Sequence, residues 1–372
     1  MSQELSVLHI NSYYSTSHFY RNLFDLQVEA GLQISVYVPV DINFVETNFD
    51  YKKYTLISKC FGIFDRLLFY PKHNKIVKDI EHHYDSRLNE FSIIHAHSLF
   101  SNGYTAYKLH IQYDIPYLVT VRNTDLNVFF KYMIHMRSMG IRILENASHI
   151  VFLSESYRKQ VFEKYIPSRL KDDLIKKTSI IPNGIDEFWF ENRGDPKQKP
   201  SLPKLKILQV GDINKNKNVE STVAACKLLI EKGYTIELNL VGKIKNKSIF
   251  AKVTKESFVN YLGFKGKQEL LEIYRKNDIF VLPSHAETFG LVYVEAMSQG
   301  LPIIYAKGQG FDKQFQDGEV GFASNSQSPE EIAYKIESIV ASYEEISKNC
   351  IDNLNKYKWK AISGKYYKLY LG

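Results

Sequence analysis

Short apolar runs alternate with amphipathic stretches along the whole of this chain, and the alternation is played out twice. In the first half the runs are Ser6–Ile10, Gln33–Pro39, Phe91–His95, Tyr117–Val121 and His149–Leu153, and stretches of helical spacing such as Phe19–Ala30 and Gly103–Tyr113 lie between them. Strand-sized runs that are apolar throughout, separated by helices, are the mark of parallel strands buried on both faces. Glu191–Lys204 (ENRGDPKQKPSLPK) then breaks the pattern, with three prolines and no large apolar residue before Leu202. That is the composition of a linker. Beyond it the alternation restarts: Leu205–Val210 ends at Gly211, Ile236–Val241 at Gly242, Val259–Leu262 at Gly263 and Ile279–Leu282 at Pro283. A glycine at such a place permits a tight turn out of a buried strand.

The expected fold class is therefore α/β, with two doubly wound, Rossmann-like parallel sheets in tandem facing a cleft. The boundaries read as a first domain over 1–190, a linker over 191–204, a second domain over 205–343, and a helical segment over 344–372 that packs back on the first domain. A length of 372 residues suits two such domains. Lys plus Arg exceed Asp plus Glu by 48 to 41, a formal charge of +7, and no five like charges run together. A nucleic-acid partner is not expected from so modest an excess. Cys60, Cys226 and Cys350 are far apart and odd in number, which supplies neither a zinc knuckle nor a disulfide framework and points to a reducing, cytoplasmic setting. The first residues lack the basic and apolar regions of a secretory signal, and no apolar run reaches the roughly 20 residues that span a bilayer. Two stretches, Leu67–Lys78 and Phe129–Arg142, mix aromatic or apolar residues with Lys and Arg. They read either as ordinary amphipathic helices or as contacts with the inner face of an anionic membrane.

The most informative stretch is Ser284–Lys307 (SHAETFGLVYVEAMSQGLPIIYAK). A buried strand runs out at Pro283 and a helix must begin near Gly290, so the amides of Thr288, Phe289, Gly290 and Leu291 are expected at a helix N-terminus, a seat for a phosphate. Glu287 precedes that seat. Glu295 lies inside an apolar run, where an idle charge is costly, and points to hydroxyl recognition.

Glu287 and Glu295 form a Glu-x7-Glu pair, and GLVYVEAMSQGLPII resembles glycosyltransferase family 4, the retaining enzymes of GT-B architecture. Ile181–Asp186 (IPNGID), Val210-Gly211 followed by Lys217-Asn218-Val219, and Asp317–Phe322 (DGEVGF) resemble further family segments in the expected order. The resemblance implies an NDP-sugar donor, UDP-sugar being favoured, and no cofactor or tightly bound metal. It implies that Lys217, with Lys215 as the alternative, contacts the donor diphosphate beside Gly211. Glu295 would bind the ribose, Leu262 and Gly263 would meet the base, and Glu287 with residues 288–291 would hold sugar and phosphates. The acceptor implied is a glycan, lipid-linked as on undecaprenyl phosphate, in surface polysaccharide or capsule synthesis.

In the first half, His95-Ala96-His97 resembles the family's H-x-H segment, and His97 is a candidate catalytic residue. Thr120–Asp125 (TVRNTD) resembles a T-x-H-G-x-D segment, with Arg122 in place of histidine. Arg122 is expected either to meet a phosphate or carboxylate or to pair structurally with Asp125. Two departures stand out. Asp212 follows Gly211 where relatives carry Arg, and the loop Asn11–Ser17 has none of the usual glycines. They motivate a second reading, a catalytically weak GT-B accessory subunit. A GT-B epimerase is a third, and a nicotinamide dehydrogenase is disfavoured because no G-x-G-x-x-G follows the first strand.

Overall fold

The computed structural model describes residues 5–15, 17–45 and 50–372. Among them, thirteen strands form two sheets in which every pairing is parallel. The chain divides into two compact units, one of Met1–Leu153, Tyr157–Pro182 and Trp359–Gly372, the other of Ser154–Ser156 and Asn183–Lys358.

The first unit holds β1 (Ser6–Ile10), β2 (Gln33–Asp41), β3 (Thr55–Phe61), β4 (Ile93–Ala96), β5 (Tyr117–Val121), β6 (His149–Phe152) and β7 (Thr178–Ile180), in the order β3-β2-β1-β4-β5-β6-β7. The central strands are buried at every residue, as β4 (IIHA) and β5 (YLVTV) are. That is why they read as unbroken apolar runs rather than as alternating ones. Two apolar layers cover the sheet. On one side Leu109, Phe100 and Ile143 pack with Tyr117 and Ile150. On the other, Leu23 and Phe24 pack with Val36, Val38 and the last helix, through Trp359, Ile362, Tyr366 and Tyr370.

The second unit holds β8 (Lys204–Val210), β9 (Thr235–Val241), β10 (Val259–Tyr261), β11 (Ile279–Leu282), β12 (Ile303–Ala306) and β13 (Gly321–Ser324), in the order β10-β9-β8-β11-β12-β13. Its helix Pro329–Ala341 starts as the sequence dictates. Ser328 Oγ accepts from the Glu331 amide at 3.2 Å, proline stands in the first turn, and Glu330 and Glu331 face the positive end of the helix dipole.

Each sheet thus reverses its strand order once, between β1 and β4 and between β8 and β11. Loops leaving the carboxyl ends of those neighbours diverge to opposite faces and leave a crevice for ligands.

The structure corrects two expectations. The proline-rich stretch 191–204 is no free tether. Gly194 N–H donates to Ser298 O at 2.9 Å, Lys197 N–H to Ser347 Oγ at 2.7 Å, and Lys197 Nζ to Arg275 O at 2.7 Å. Extended backbone is held there because its polar groups find fixed partners in the second unit. The segment 344–372 is not one body either: Tyr343–Asp352 and Leu354–Tyr357 stay with the second unit, and Trp359–Leu371 joins the first. Trp359 meets Phe19 edge-on at 4.9 Å and is nearly enclosed. Trp359→Ala is expected to lower the urea unfolding midpoint by an amount equivalent to about 3–5 kcal/mol, the usual effect of removing a buried tryptophan.

Candidate functional site

In the second unit the site is built where β8 and β11 part. Gly211 follows β8 at φ +154° and Gly242 follows β9 at φ +147°. Any Cβ on Gly242 would stand 2.1 Å from Gly211 O, so the two backbones can approach only as glycines. The loop after Gly211 is stapled to the loop after β11 by one side chain. Asn216 Nδ2 donates to Ala286 O and its Oδ1 accepts from Ala286 N–H, both at 2.9 Å, while its carbonyl accepts from His285 N–H at 2.8 Å. Asn218 adds a bond from Nδ2 to Pro283 O at 3.0 Å.

This staple sets Lys217 against Glu287. Lys217 Nζ lies 2.5 Å from Glu287 Oε2, with side chains 21% and 12% exposed. The stem of Lys217 runs along Gly211, whose Cβ, if present, would meet it at 3.3 Å. Lys215, the alternative cation, is exposed. Glu287 is fixed from three more directions: its Oε1 accepts from Thr288 N–H, its N–H donates to Gln309 Oε1, and its carbonyl accepts from Gly310 N–H, each at 3.1 Å. Gln309 and Gly310 follow β12 and were not singled out from sequence, although the Gly-x-Gly of Gly308–Gly310 marked a tight loop there. A Cβ on Gly310 would lie 1.8 Å from Thr288 O.

Gly290 caps the following helix, Leu291–Met297, at φ +78°. Phe289 is core, packed between Phe311 and Tyr357, so only its backbone is offered to a ligand. Glu295 turns inward from this helix. Tyr274 OH donates to its Oε2 at 3.2 Å, and burial outweighs that bond and Lys267, pushing the carboxyl up from 4.5 to about 7. Lys267 in turn pairs with Asp186 of the IPNGID segment. Tyr274 carried no sequence signal of its own. Leu262 and Gly263 follow β10, with Gly263 at φ +78° and its carbonyl accepting from Gly242 N–H at 2.9 Å.

In the first unit, β1 and β4 part at a cluster of histidines. His9 and His95 sit opposite each other in the register. His9 Nδ1 is 3.0 Å from His97 Nε2, and His95 lies between Tyr370 OH at 2.7 Å and Thr120 Oγ1 at 3.0 Å. Burial lowers His9 to about 3 and holds His95 and His97 well below the usual imidazole range, so all three rings are neutral near pH 7. Their ring nitrogens lie within 4.8 Å of one another. A divalent cation there would sit among neutral rings beside a guanidinium, with no carboxylate in the group; the arrangement is that of a packed, hydrogen-bonded cluster.

His97 and Arg122 meet beside this cluster. The ring of His97 is fully enclosed, stacked on His95 at 3.9 Å and against Tyr20 at 5.1 Å. The His97 carbonyl accepts from Arg122 Nε at 3.2 Å. Arg122 lies with its guanidinium over the Tyr20 ring at 5.4 Å. Asp125 accepts from Arg122 N–H at 2.8 Å, Leu99 N–H at 2.9 Å and Phe100 N–H at 3.1 Å, and the Arg122 charge also favours its ionised form. Burial still raises Asp125 to about 6. The glycine-free first loop turns on a side chain instead: Asn11 Oδ1 accepts from Tyr13 N–H at 3.0 Å. Thr16 of that loop lies outside the described residues. Beside it, a pocket of about 660 Å³ opens at the ends of β1, β2 and β3, lined by Ser12, Ser15, Asp41, Asn43, Phe44 and Lys72 among others.

Residues 7–187 match the family described as Glycosyltransferase Family 4, and residues 192–357 match Glycosyl transferases group 1. The chain belongs to the family 4 glycosyltransferases. It is 26% identical over 278 residues to the glycosyltransferase MJ1178 of Methanocaldococcus jannaschii, covering 73% of each chain. It is 26% identical over 232 residues to the capsular polysaccharide biosynthesis glycosyltransferase CapM of Staphylococcus aureus, covering 60% of each. In fold it resembles the sucrose-phosphate synthase of Thermosynechococcus elongatus (TM-score 0.76, 18% identity, 99% and 98% coverage). It also resembles HepE of Anabaena in complex with UDP and glucose (TM-score 0.67, 16% identity, 98% and 99% coverage). The fold is thus GT-B, two Rossmann-like domains, and this glycosyltransferase carries the Glu-x7-Glu pair on the second.

Two outcomes check this geometry. Asp125→Ala leaves three backbone N–H groups without their acceptor and is expected to cost roughly 2–4 kcal/mol in urea unfolding. Glu295 is ionised in the unfolded chain above pH 4.5 but protonated in the fold up to about 7, so wild-type stability falls as pH rises across that interval. Glu295→Gln abolishes this titration. The variant is expected to gain about 3 kcal/mol over wild type at pH 8 and nothing at pH 4.5.

Proposed function

We propose that this glycosyltransferase takes its sugar from an NDP-sugar held by the second unit and transfers it, with retention of anomeric configuration, to a glycan acceptor held by the first. The observation that carries the reading is the Lys217–Glu287 pair beside Gly211, set where β8 and β11 diverge, with Glu295 one segment away. An ammonium and bare backbone suit a diphosphate. A carboxylate fixed by Lys217 and Thr288 suits sugar hydroxyls, and Glu295 suits a ribose. Leu262 and Gly263 would meet the base through backbone groups. UDP is the favoured nucleotide, in keeping with the UDP complexes of HepE.

In the transfer, the bond from the anomeric carbon to the diphosphate oxygen breaks and the bond to the acceptor oxygen forms on the same face. The acceptor proton passes to an oxygen of the leaving diphosphate. The protein's part is to stabilise the charge that grows on that diphosphate, and Lys217 is the residue placed for it. No step in this account is assigned to a metal. Arg122, held by the His97 carbonyl, is proposed to meet an anionic group of a substrate. The pocket at the ends of β1, β2 and β3 offers hydroxyls, an amide, a carboxylate, an ammonium and an aromatic ring, which suit a saccharide. The CapM resemblance supports a surface polysaccharide as the product; a lipid-linked acceptor on the cytoplasmic side is proposed with it.

Asp212 favours a second reading, an accessory subunit without turnover, because no guanidinium stands in that loop. Thermal shifts with UDP, GDP and ADP and turnover of matching NDP-sugars separate the two. UDP is expected to raise the melting point by mass action, and Lys217→Met to lower kcat/KM by one to two decades, the worth of roughly 1.5–3 kcal/mol of charge-assisted contact. Silence with every nucleotide at millimolar concentration would remove the enzymatic reading.

A further inference from the structure

The first unit carries an apolar strip that its own core does not use. After β3, Gly62 N–H donates to Asp65 Oδ2 at 2.8 Å and starts a short 3-10 helix, Ile63–Leu67, which runs into the helix Phe69–Tyr84. Phe64 and Leu67 are 82% and 83% exposed, and Ile63 and Leu68 are exposed beside them. A second set comes from the segment after β5, where Tyr132 and Ile134 are 69% and 66% exposed. The two segments touch through half-buried rings, Phe69 meeting Phe129 at 5.8 Å, and Phe129 is seated on buried Phe100 at 4.5 Å. Single exposed apolar residues are ordinary; a joined group of this kind marks an interaction surface.

Charge identifies the partner. From Arg66 to Lys78 the sequence holds Arg66, Lys72, Lys75 and Lys78 with no carboxylate, and from Leu126 to Leu144 it holds Lys131, Arg137 and Arg142 with none. Asp65 is the acidic group on the first segment, and it pairs with Lys75 at 2.8 Å. Arg137 is spent on Phe130 O at 2.7 Å and on the Tyr165 ring at 5.1 Å. Lys131 and Arg142 remain exposed around the strip, with His135, and so does Lys78. A second copy of the same face would bring these cations against each other. A negatively charged bilayer surface satisfies both halves, taking the apolar side chains below the headgroups and the cations among the phosphates.

We infer that Ile63–Leu68 and Val128–Ile134 form one docking face for an anionic lipid bilayer. The face stands independently of the donor chemistry. Ile63 and Lys72 also line the pocket at the ends of β1, β2 and β3, so a bilayer held by this face would lie at the mouth proposed for the acceptor. That last step alone rests on the glycosyl-acceptor reading.

The test is flotation of the full chain with vesicles of phosphatidylcholine alone and with one-third phosphatidylglycerol. Binding is expected with the anionic vesicles, weakened by salt. Phe64→Glu with Leu67→Glu is expected to reduce it at least tenfold, and Lys131→Glu with Arg142→Glu severalfold. Melting point and UDP-induced thermal shift should stay unchanged, which keeps this result separate from the fate of the donor reading. Ile111→Glu, an exposed apolar residue on the helix Ser101–Tyr113, serves as the control and should bind as wild type does. Absence of binding, equal binding to both vesicle types, or retained binding by the Phe64/Leu67 variant overturns the proposal. So does a wild-type dimer in light scattering that the same two substitutions dissolve, since the face would then belong to a second copy.

Discussion

Parallel strands cannot be joined by tight hairpins, so every connection crosses a face of the sheet, and the carboxyl ends of the strands become the place where loops collect. In this chain that constraint acts twice. Where β1 parts from β4 the strand ends set His9 beside His95, with His97 just beyond; where β8 parts from β11 the loops bring Gly211, Lys217 and Glu287 together. His9 and His97 are 88 positions apart and Lys217 and Glu287 are 70, and the sheet order is what makes them neighbours. The contact of Gly242 with Gly211 O shows how little slack remains: the turn after β9 closes on the turn after β8 at a distance that no side chain survives.

Burial then decides what each ionisable group can do. Asp125 stays in the interior because three backbone N–H groups converge on it, and it ties the turn after β5 to the start of the helix after β4. Glu295 has a single tyrosine hydroxyl and a distant lysine, so desolvation prevails and the carboxyl holds its proton to about 7. The first is a structural anchor whose acceptors are saturated. The second keeps acceptor capacity in reserve at a cost to stability, the pattern of a group retained for a ligand. The histidines follow a third course: they shed charge altogether and pack as neutral rings, and the Arg122 guanidinium supplies the permanent charge beside them.

The second unit was the more legible in sequence. Its strands end at Gly211, Gly242, Gly263 and Pro283, and each of these stops is a structural necessity that leaves a mark on the residue type. Lys217 stands on the loop after β8, and Glu287 and Glu295 on the loop and helix after β11. The edge strand β3 escaped because Thr55–Phe61 carries Ser58 and Lys59 and is half-exposed, so it lacks the unbroken apolar run of a central strand. Strand β7 is three residues long. Asn216, Tyr274 and Gln309 carried no signal of their own because their work is done by side-chain hydrogen bonds to residues distant in sequence, which no local pattern records. The enclosure of the His97 ring was not legible for a related reason: a histidine at a strand end reads alike whether its ring faces solvent or a second histidine.

The Lys217–Glu287 pair sharpens the proposed donor recognition. A lysine alone in that loop would attract any anion, and a glutamate alone would repel the phosphate that must lie nearby. Held 2.5 Å apart and only 21% and 12% exposed, the two neutralise each other and lose part of their hydration. A free phosphate gains little from such a pair, because it must pull Lys217 away from a carboxylate that then loses its counter-ion. A sugar joined to a diphosphate presents an anion to Lys217 and hydroxyl donors to Glu287 at once, and so can replace what each loses. On this reading, selectivity for the intact sugar donor over inorganic anions comes from the pairing itself, and the three hydrogen bonds that fix Glu287 are what keep it from following the lysine.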